Sequence, residues 1–485
     1  MMGITVQTLL LGFLFVACTS GKDFTEKWYQ VVDLIASNAT LTSQFLSAAQ
    51  QKDKLSGGMS HFPCAAIDPS PSVPTSVHQL RPSDVQVVAA MGDSLTAGTG
   101  IHALTVVGDL FGWRGVSWSI GGDEDIHSVI TLPNLLKQYN PHIKGFSIKK
   151  TISIIGVDNP RSRLNAARAG DESSHMPDQA RKLVSRMKSM LGSSYATDWK
   201  VITLFIGGNN LCSYCEDPDG AQSPEQYITD IRNALDILHQ EVPRAFVNLV
   251  EVFQVELIEQ LNLNLLCNIV HSITCDCAAF PKSEAALEAL KRANKKYGEN
   301  LNALADSGRY DTRDDFTVVV QPFFRNTMFP THADGSTDSS FVAADCFHLS
   351  GKGQAAMAEA LWNNMVEPVG GKRTEWRVGE ALECPTNAHP YFYTKKNSNP
   401  SFLQSVQSNA MVGSMAGNGA GKSYDQLTAA DTNTFQGVHG TGIIIGAVGA
   451  GILLGALLVA GVLYRKYQLR TGGERRALLQ PNPAA

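Results

Sequence analysis

The sequence predicts an α/β protein: a three-layer α/β/α sandwich with a mainly parallel central sheet, plus one C-terminal transmembrane helix. Three observations predict it. Four short runs rich in Val, Ile or Phe stand out, at Val85–Met91, Val201–Ile206, Phe246–Phe253 and Phe316–Val320, each followed by Gly, Pro or polar residues. Strands buried on both faces of a parallel sheet read this way. Helical stretches lie between them, at Pro177–Leu191, Pro224–Gln240 and Ser283–Ser307, and such alternation places helices on both faces of a sheet. Finally, residues 441–463 carry no charge, and about 20 apolar residues suffice to cross a bilayer.

Taken in chain order, residues 1–20 are uncharged and hold the run Leu9–Ala17 followed by small residues. This is the pattern of a secretory signal peptide, although the usual basic start is missing. Residues 21–61 form a helical lead-in, with Trp28, Val31, Val32, Leu34 and Ile35 near helical spacing. Residues 62–393 form the main domain, entered through a loop rich in proline at 68–76. Residues 394–440 turn rich in Asn, Ser, Gly, Thr and Ala and read as a stalk. The membrane helix follows at 441–464. Residues 465–485 form a cytoplasmic tail that begins with Arg465 and Lys466, because basic residues beside a span stay inside. A polar tail after the span argues against a lipid-anchor signal, whose apolar tail closes the chain.

These ends predict a single-pass type I protein, at the plasma membrane, with its catalytic domain outside. Gly442 and Gly446, and Ala447, Gly451 and Gly455, are spaced by four and offer a surface for oligomerisation within the bilayer. The net charge of −5 divides into +4 on the tail and −9 on the exterior. That sign excludes nucleic acid as a partner, since a phosphate backbone requires a basic footprint. Asn38-Ala39-Thr40 is a glycosylation sequon. Of nine cysteines, eight follow Cys18, an even number that predicts disulfides in an oxidising compartment, with the pairing left open. Zinc held by Cys212, Cys215, Cys275 and Cys277 is the lesser alternative.

Polar groups collect at the strand ends, where parallel sheets place their sites. Val85–Met91 runs into Gly92-Asp93-Ser94-Leu95, a turn that can expose a serine hydroxyl. The second run ends in Gly207-Gly208-Asn209-Asn210, where glycines allow a sharp turn and an Asn amide can donate. Asp345-Cys346-Phe347-His348 places a carboxylate and an imidazole on one local turn. The carboxylate would fix the ring tautomer, leaving the other nitrogen to take a proton from Ser94. Each is ordinary alone; together they supply nucleophile, donor and base.

On these residues the chain resembles the GDSL, or SGNH, hydrolases. Gly92-Asp93-Ser94-Leu95 is similar to their first block, Gly170 to the second-block glycine, Gly207-x-Asn209 to the third block and Asp345-x-x-His348 to the fifth. Arg114–Gly122, Thr131-Leu132-Pro133-Asn134, Phe205–Asn209 and His348-Leu349-Ser350-x-Lys352-Gly353 resemble the phospholipase B branch. The resemblance covers roughly Phe62 to Tyr393, as one catalytic unit. It implies a flavodoxin-like sandwich and a serine acyl-enzyme mechanism with Ser94, Asp345 and His348 as catalytic residues. The oxyanion hole would comprise the Ser94 and Gly170 N–H groups and the Asn209 amide. No metal or organic cofactor is required. The implied substrates are phospholipids, lysophospholipids or other acyl esters. The rival readings are an esterase for small or glycan-linked esters and a receptor or adhesion glycoprotein without catalysis. Two departures are visible. Asn210 stands where the family commonly has Asp, which should alter loop packing more than chemistry. Thr99-Gly100-Ile101-His102 replaces a more usual Asn-Gly pair and is expected to line the substrate pocket. His102 is a rival base without an Asp partner in its motif.

Overall fold

A computed structural model describes residues 24–52, 58–152 and 159–399. The four apolar runs form four strands, β1 (Val85–Gly92), β2 (Trp199–Phe205), β3 (Ala245–Val250) and β4 (Phe316–Gln321). They lie in that order in one sheet, with every neighbouring pair parallel. Alternation along each strand divides the core in two. Val87, Ala89 and Met91 join one apolar cluster with Ile202, Leu204, Val247 and Leu249, while Val88 and Ala90 join another with Val201, Phe205 and Phe246. Apolar residues at consecutive positions therefore serve opposite faces of the sheet.

Helices cover both faces. The first cluster also takes residues from α3 (Met176–Leu191), α4 (Pro224–Glu241) and α6 (Glu284–Asp306), and the second from α7 (Gly351–Met365) and the short helix Leu132–Leu136. The serines that precede three of them act as caps: Ser223, Ser283 and Ser350 accept from the N–H groups of Gln226, Ala286 and Gly353, which satisfies donors with no partner inside the helix. The outcome is an α/β/α sandwich with a parallel central sheet. The outer edge of β1 is paired by irregular chain. Val88 N donates to Lys144 O and Lys144 N to Gln86 O, Ala90 exchanges bonds with the segment Leu164–Ala166, and Arg168 N donates to Gly92 O.

The lead-in forms two helices, α1 (Phe24–Ser37) and α2 (Ala39–Lys52). Asn38 is exposed between them, and its Oδ1 accepts from the Thr40 and Leu41 N–H groups. The chain stays folded into the segment expected as stalk: Asn397 donates to the carbonyls of His78 and Phe392, and Thr394 Oγ1 meets His78 Nδ1 at 2.9 Å. The signal peptide, the rest of the stalk, the membrane helix and the tail lie outside the described residues. Among the described residues no helix is long and apolar enough to cross a membrane.

The eight cysteines form four disulfides, Cys64–Cys384, Cys212–Cys275, Cys215–Cys277 and Cys267–Cys346. The four considered as zinc ligands are thus spent in two bonds, and zinc ligation needs their free thiolates.

Candidate active site

Strand β1 ends where a side chain has no room. Gly92 has φ +154°, and a methyl on it would overlap the Phe205 carbonyl oxygen. Asp93 then caps the single turn Ser94–Ala97, its Oδ1 accepting from Leu95 N at 2.9 Å. Ser94 is the first residue of that turn, so its own N–H has no acceptor within it. Burial pushes the Asp93 carboxyl up to about 7, against the opposing pull of the Leu95 N–H and His348.

Behind β2, Gly207 at φ +127° turns the chain into the short helix Gly208–Cys212. Asn209 donates through Nδ2 to Asp171 O at 2.9 Å, which ties it to the residue after Gly170. An amide nitrogen has two hydrogens, so one such bond leaves a second donor. Gly170 itself has φ +81°. Asn210 is fully buried; it accepts from Ser173 N at 3.0 Å and donates to Ser173 Oγ and to Gln222 Oε1 at 2.8 Å. Asn210 thus ties the loop to Ser173 and Gln222, and a carboxylate could not make those two donations.

The third element is the turn 342–349. Asp345 Oδ2 lies 2.6 Å from His348 Nδ1, and Asp345 Oδ1 accepts from the backbone N–H groups of Phe347 and His348. Both side chains are buried. Burial raises the Asp345 carboxyl, but the charge and hydrogen bond of His348 outweigh it and hold the group below its ordinary range. A carboxylate at Nδ1 makes that nitrogen the donor and leaves the lone pair on Nε2. Among the described residues Nε2 is buried without a hydrogen-bond partner, which in a folded protein calls for a functional reason. Cys346 sits in the turn at φ +61°, a conformation unusual for any residue but glycine. It is held by its disulfide to Cys267 and by His271 Nε2 against its carbonyl at 2.8 Å.

Asp93, Ser94 and Asn209 line one cleft. Phe347 and Leu349, on either side of His348, line it too. The remaining wall is apolar, with Phe253, Leu257, Ile258 and Leu261 from one segment and Phe323, Phe324 and Met328 from another. Ser94 and Asn209 thus share one cleft, the two neighbours of His348 in the chain line it as well, and Gly170 is joined to Asn209 through Asp171.

Thr99–His102 does not line this cleft, contrary to expectation. Gly100, at φ +74°, packs behind the pair: a methyl on it would come 3.0 Å from Asp345 Oδ2 and 3.1 Å from Asp109 Oδ1. His102 packs edgewise on Trp113, with ring centroids 5.4 Å apart.

Sequence reasoning missed Gln179. From α3, this buried amide accepts from Gly92 N at 2.9 Å and donates to Gly92 O at 2.8 Å and to Asp171 Oδ2 at 2.7 Å. It locks the end of β1 to the loop that carries Gly170. No local motif marks it, since a Gln on an amphipathic helix is unremarkable in sequence.

The chain is 46% identical over 347 residues to membrane-associated phospholipase B1 of Homo sapiens, covering 69% of this chain and 23% of that protein. It is 46% identical over 348 residues to the Rattus norvegicus protein (70% and 24%) and 44% identical over 352 residues to that of Mus musculus (70% and 23%). The chain thus spans about a quarter of the length of these relatives. The family model described as GDSL-like lipase/acylhydrolase matches residues 88–361. Since that match takes in more than half of its residues, the chain belongs to the GDSL-like lipase/acylhydrolase family, on its phospholipase B branch.

Proposed function

We propose that this chain is a serine lipid hydrolase that releases fatty acids from phospholipids and lysophospholipids. The observation that carries this reading is the apolar cleft that opens on Ser94 and Asn209. Each methylene of a bound chain removed from water there contributes about 0.8 kcal/mol. A long acyl group therefore fits the site better than a small polar ester. Similarity to membrane-associated phospholipase B1 supports the same substrates.

In this reading His348 Nε2 takes the Ser94 proton while Asp345 holds the ring and stabilises the imidazolium that forms. Ser94 Oγ attacks the ester carbonyl, and the oxyanion is met by the N–H groups of Ser94 and Gly170 and by the Asn209 amide. His348 then protonates the departing lysolipid or glycerol alcohol. Water repeats the sequence on the acyl-enzyme and frees the fatty acid. Residues 441–464 anchor the protein as a single-pass type I protein at the plasma membrane, with oligomerisation through their small residues and a glycan on Asn38. The anchor keeps the site beside its substrate.

The test is hydrolysis of phosphatidylcholine and lysophosphatidylcholine by the purified exterior part, with products identified by position. Ser94→Ala should lower the rate by about a thousandfold or more without unfolding the protein. Parent-like activity in that variant would remove Ser94 from the mechanism.

A further inference from the structure

The helices α1 and α2 precede the matched family unit at 88–361, yet they pack on the turn that carries Asp345 and His348. Trp28 lies edge-to-face on the His348 ring, with centroids 5.0 Å apart and planes at 77°, and 6.1 Å from the Phe347 ring. Lys52, the last residue of α2, donates through Nζ to Ala343 O at 2.8 Å. Ala343 N in turn donates to His348 O at 2.7 Å. Trp28, Phe45 and Ala49 share one buried cluster with Ala344 of the turn, Val270 of α5 (Leu265–Thr274) and Ala103 and Val106 beyond Ser94.

A general base needs this kind of support. His348 is fastened at one edge by Asp345, and its other nitrogen must stay open to exchange a proton with Ser94. The tilt of the ring is then set by what packs against it. A small misplacement of a reacting group costs much of the rate.

We propose that the hairpin Phe24–Lys52 is part of the catalytic apparatus: Trp28 is a positioning residue for His348, and Lys52 fixes the turn that presents Asp345. This rests on the serine mechanism above and extends it to a segment outside the family unit.

The test uses the full chain with a soluble short-chain chromogenic ester, together with the rate at which a fluorophosphonate labels Ser94. Trp28→Ala should lower kcat and the labelling rate by about tenfold or more while KM stays within about twofold. Trp28→Phe, which keeps a ring against His348, should recover most of both, and Lys52→Met should lose several-fold in kcat. A folded Trp28→Ala variant with parent-like kcat and labelling overturns the proposal, as does a Phe variant no better than Ala. If Trp28→Ala does not fold, Lys52→Met decides: unchanged kcat overturns the proposal, and a several-fold loss at constant KM supports it. Ser94→Ala run alongside separates the two readings. Activity surviving in it sinks the serine mechanism, whereas its loss beside a parent-like Trp28→Ala sinks the positioning role alone.

Discussion

Gln179 shows how one buried side chain can organise a site it does not enter. Its amide oxygen accepts from Gly92 N, and both of its N–H groups are used, by Gly92 O and Asp171 Oδ2. Gln179→Glu loses both donations and sets a carboxylate against Asp171. We expect kcat to fall by about 10- to 100-fold through displacement of the oxyanion donors, with a smaller change in KM. Equal kcat in parent and variant would show that Ser94 and Gly170 hold their places without it. Asp93 offers a second test, through pH. Its carboxyl is pushed by burial from 3.8 to about 7. Below 3.8 both folded and unfolded chains keep the proton, so its contribution is fully present there. As pH rises towards 7 the unfolded chain releases it first, and stability is lost at up to about 1.4 kcal/mol per pH unit. Asn caps a helix about as well as Asp, so Asp93→Asn should keep the turn and remove this slope. Thermal unfolding of both proteins between about pH 4 and pH 7 checks it; an unchanging difference in Tm would mean that Asp93 does not titrate in that range.

Among the elements, the turn 342–349 depends most on its surroundings. Its Asp345–His348 bond is local, but Cys346 adopts a left-handed conformation that needs outside support. Cys267 supplies it from α5, and His271 from the same helix meets the Cys346 carbonyl. Replacing Cys267 and Cys346 together by serine should therefore reduce kcat more than it reduces stability. The checks are turnover of a soluble ester and Tm on the same preparation. Unchanged turnover with lowered Tm would assign this disulfide to stability alone. The strands needed no such help to be read. Their Val, Ile and Phe runs serve two cores at once, and the structure starts β2 and β3 slightly earlier than the runs and ends β3 three residues short of Phe253. Val252 and Phe253 are apolar because they line the core and the cleft, not because they are strand.

For the molecule as a whole, Cys64–Cys384 closes the longest loop, over a sequence separation of 320. Cross-linking distant points chiefly restricts the unfolded chain, with a typical effect of about 2–4 kcal/mol. Neither cysteine lines the cleft, so replacing both by serine should lower Tm and leave ester turnover near that of the parent. Loss of turnover at a temperature where the variant is fully folded would show that the ends of the domain communicate with the site.

The sequence by itself determined the sheet and its covering helices, and it set a carboxylate and an imidazole on one turn. Strand periodicity is local, and Asp345 and His348 share one turn, so short-range pattern suffices for both. It also marked Ser94 and Asn209, because a strand end that must turn sharply favours glycine beside them, whereas Gly170 was marked by the family resemblance alone. Only the tertiary structure decided the rest. The disulfide pairing, the Gln179 brace, the apolar cleft and the seat of Trp28 on His348 each join segments far apart in the chain. It also moved Thr99–His102 from the cleft to the back of Asp345. Such contacts leave no periodicity to read, since they are set by which faces of the folded elements meet.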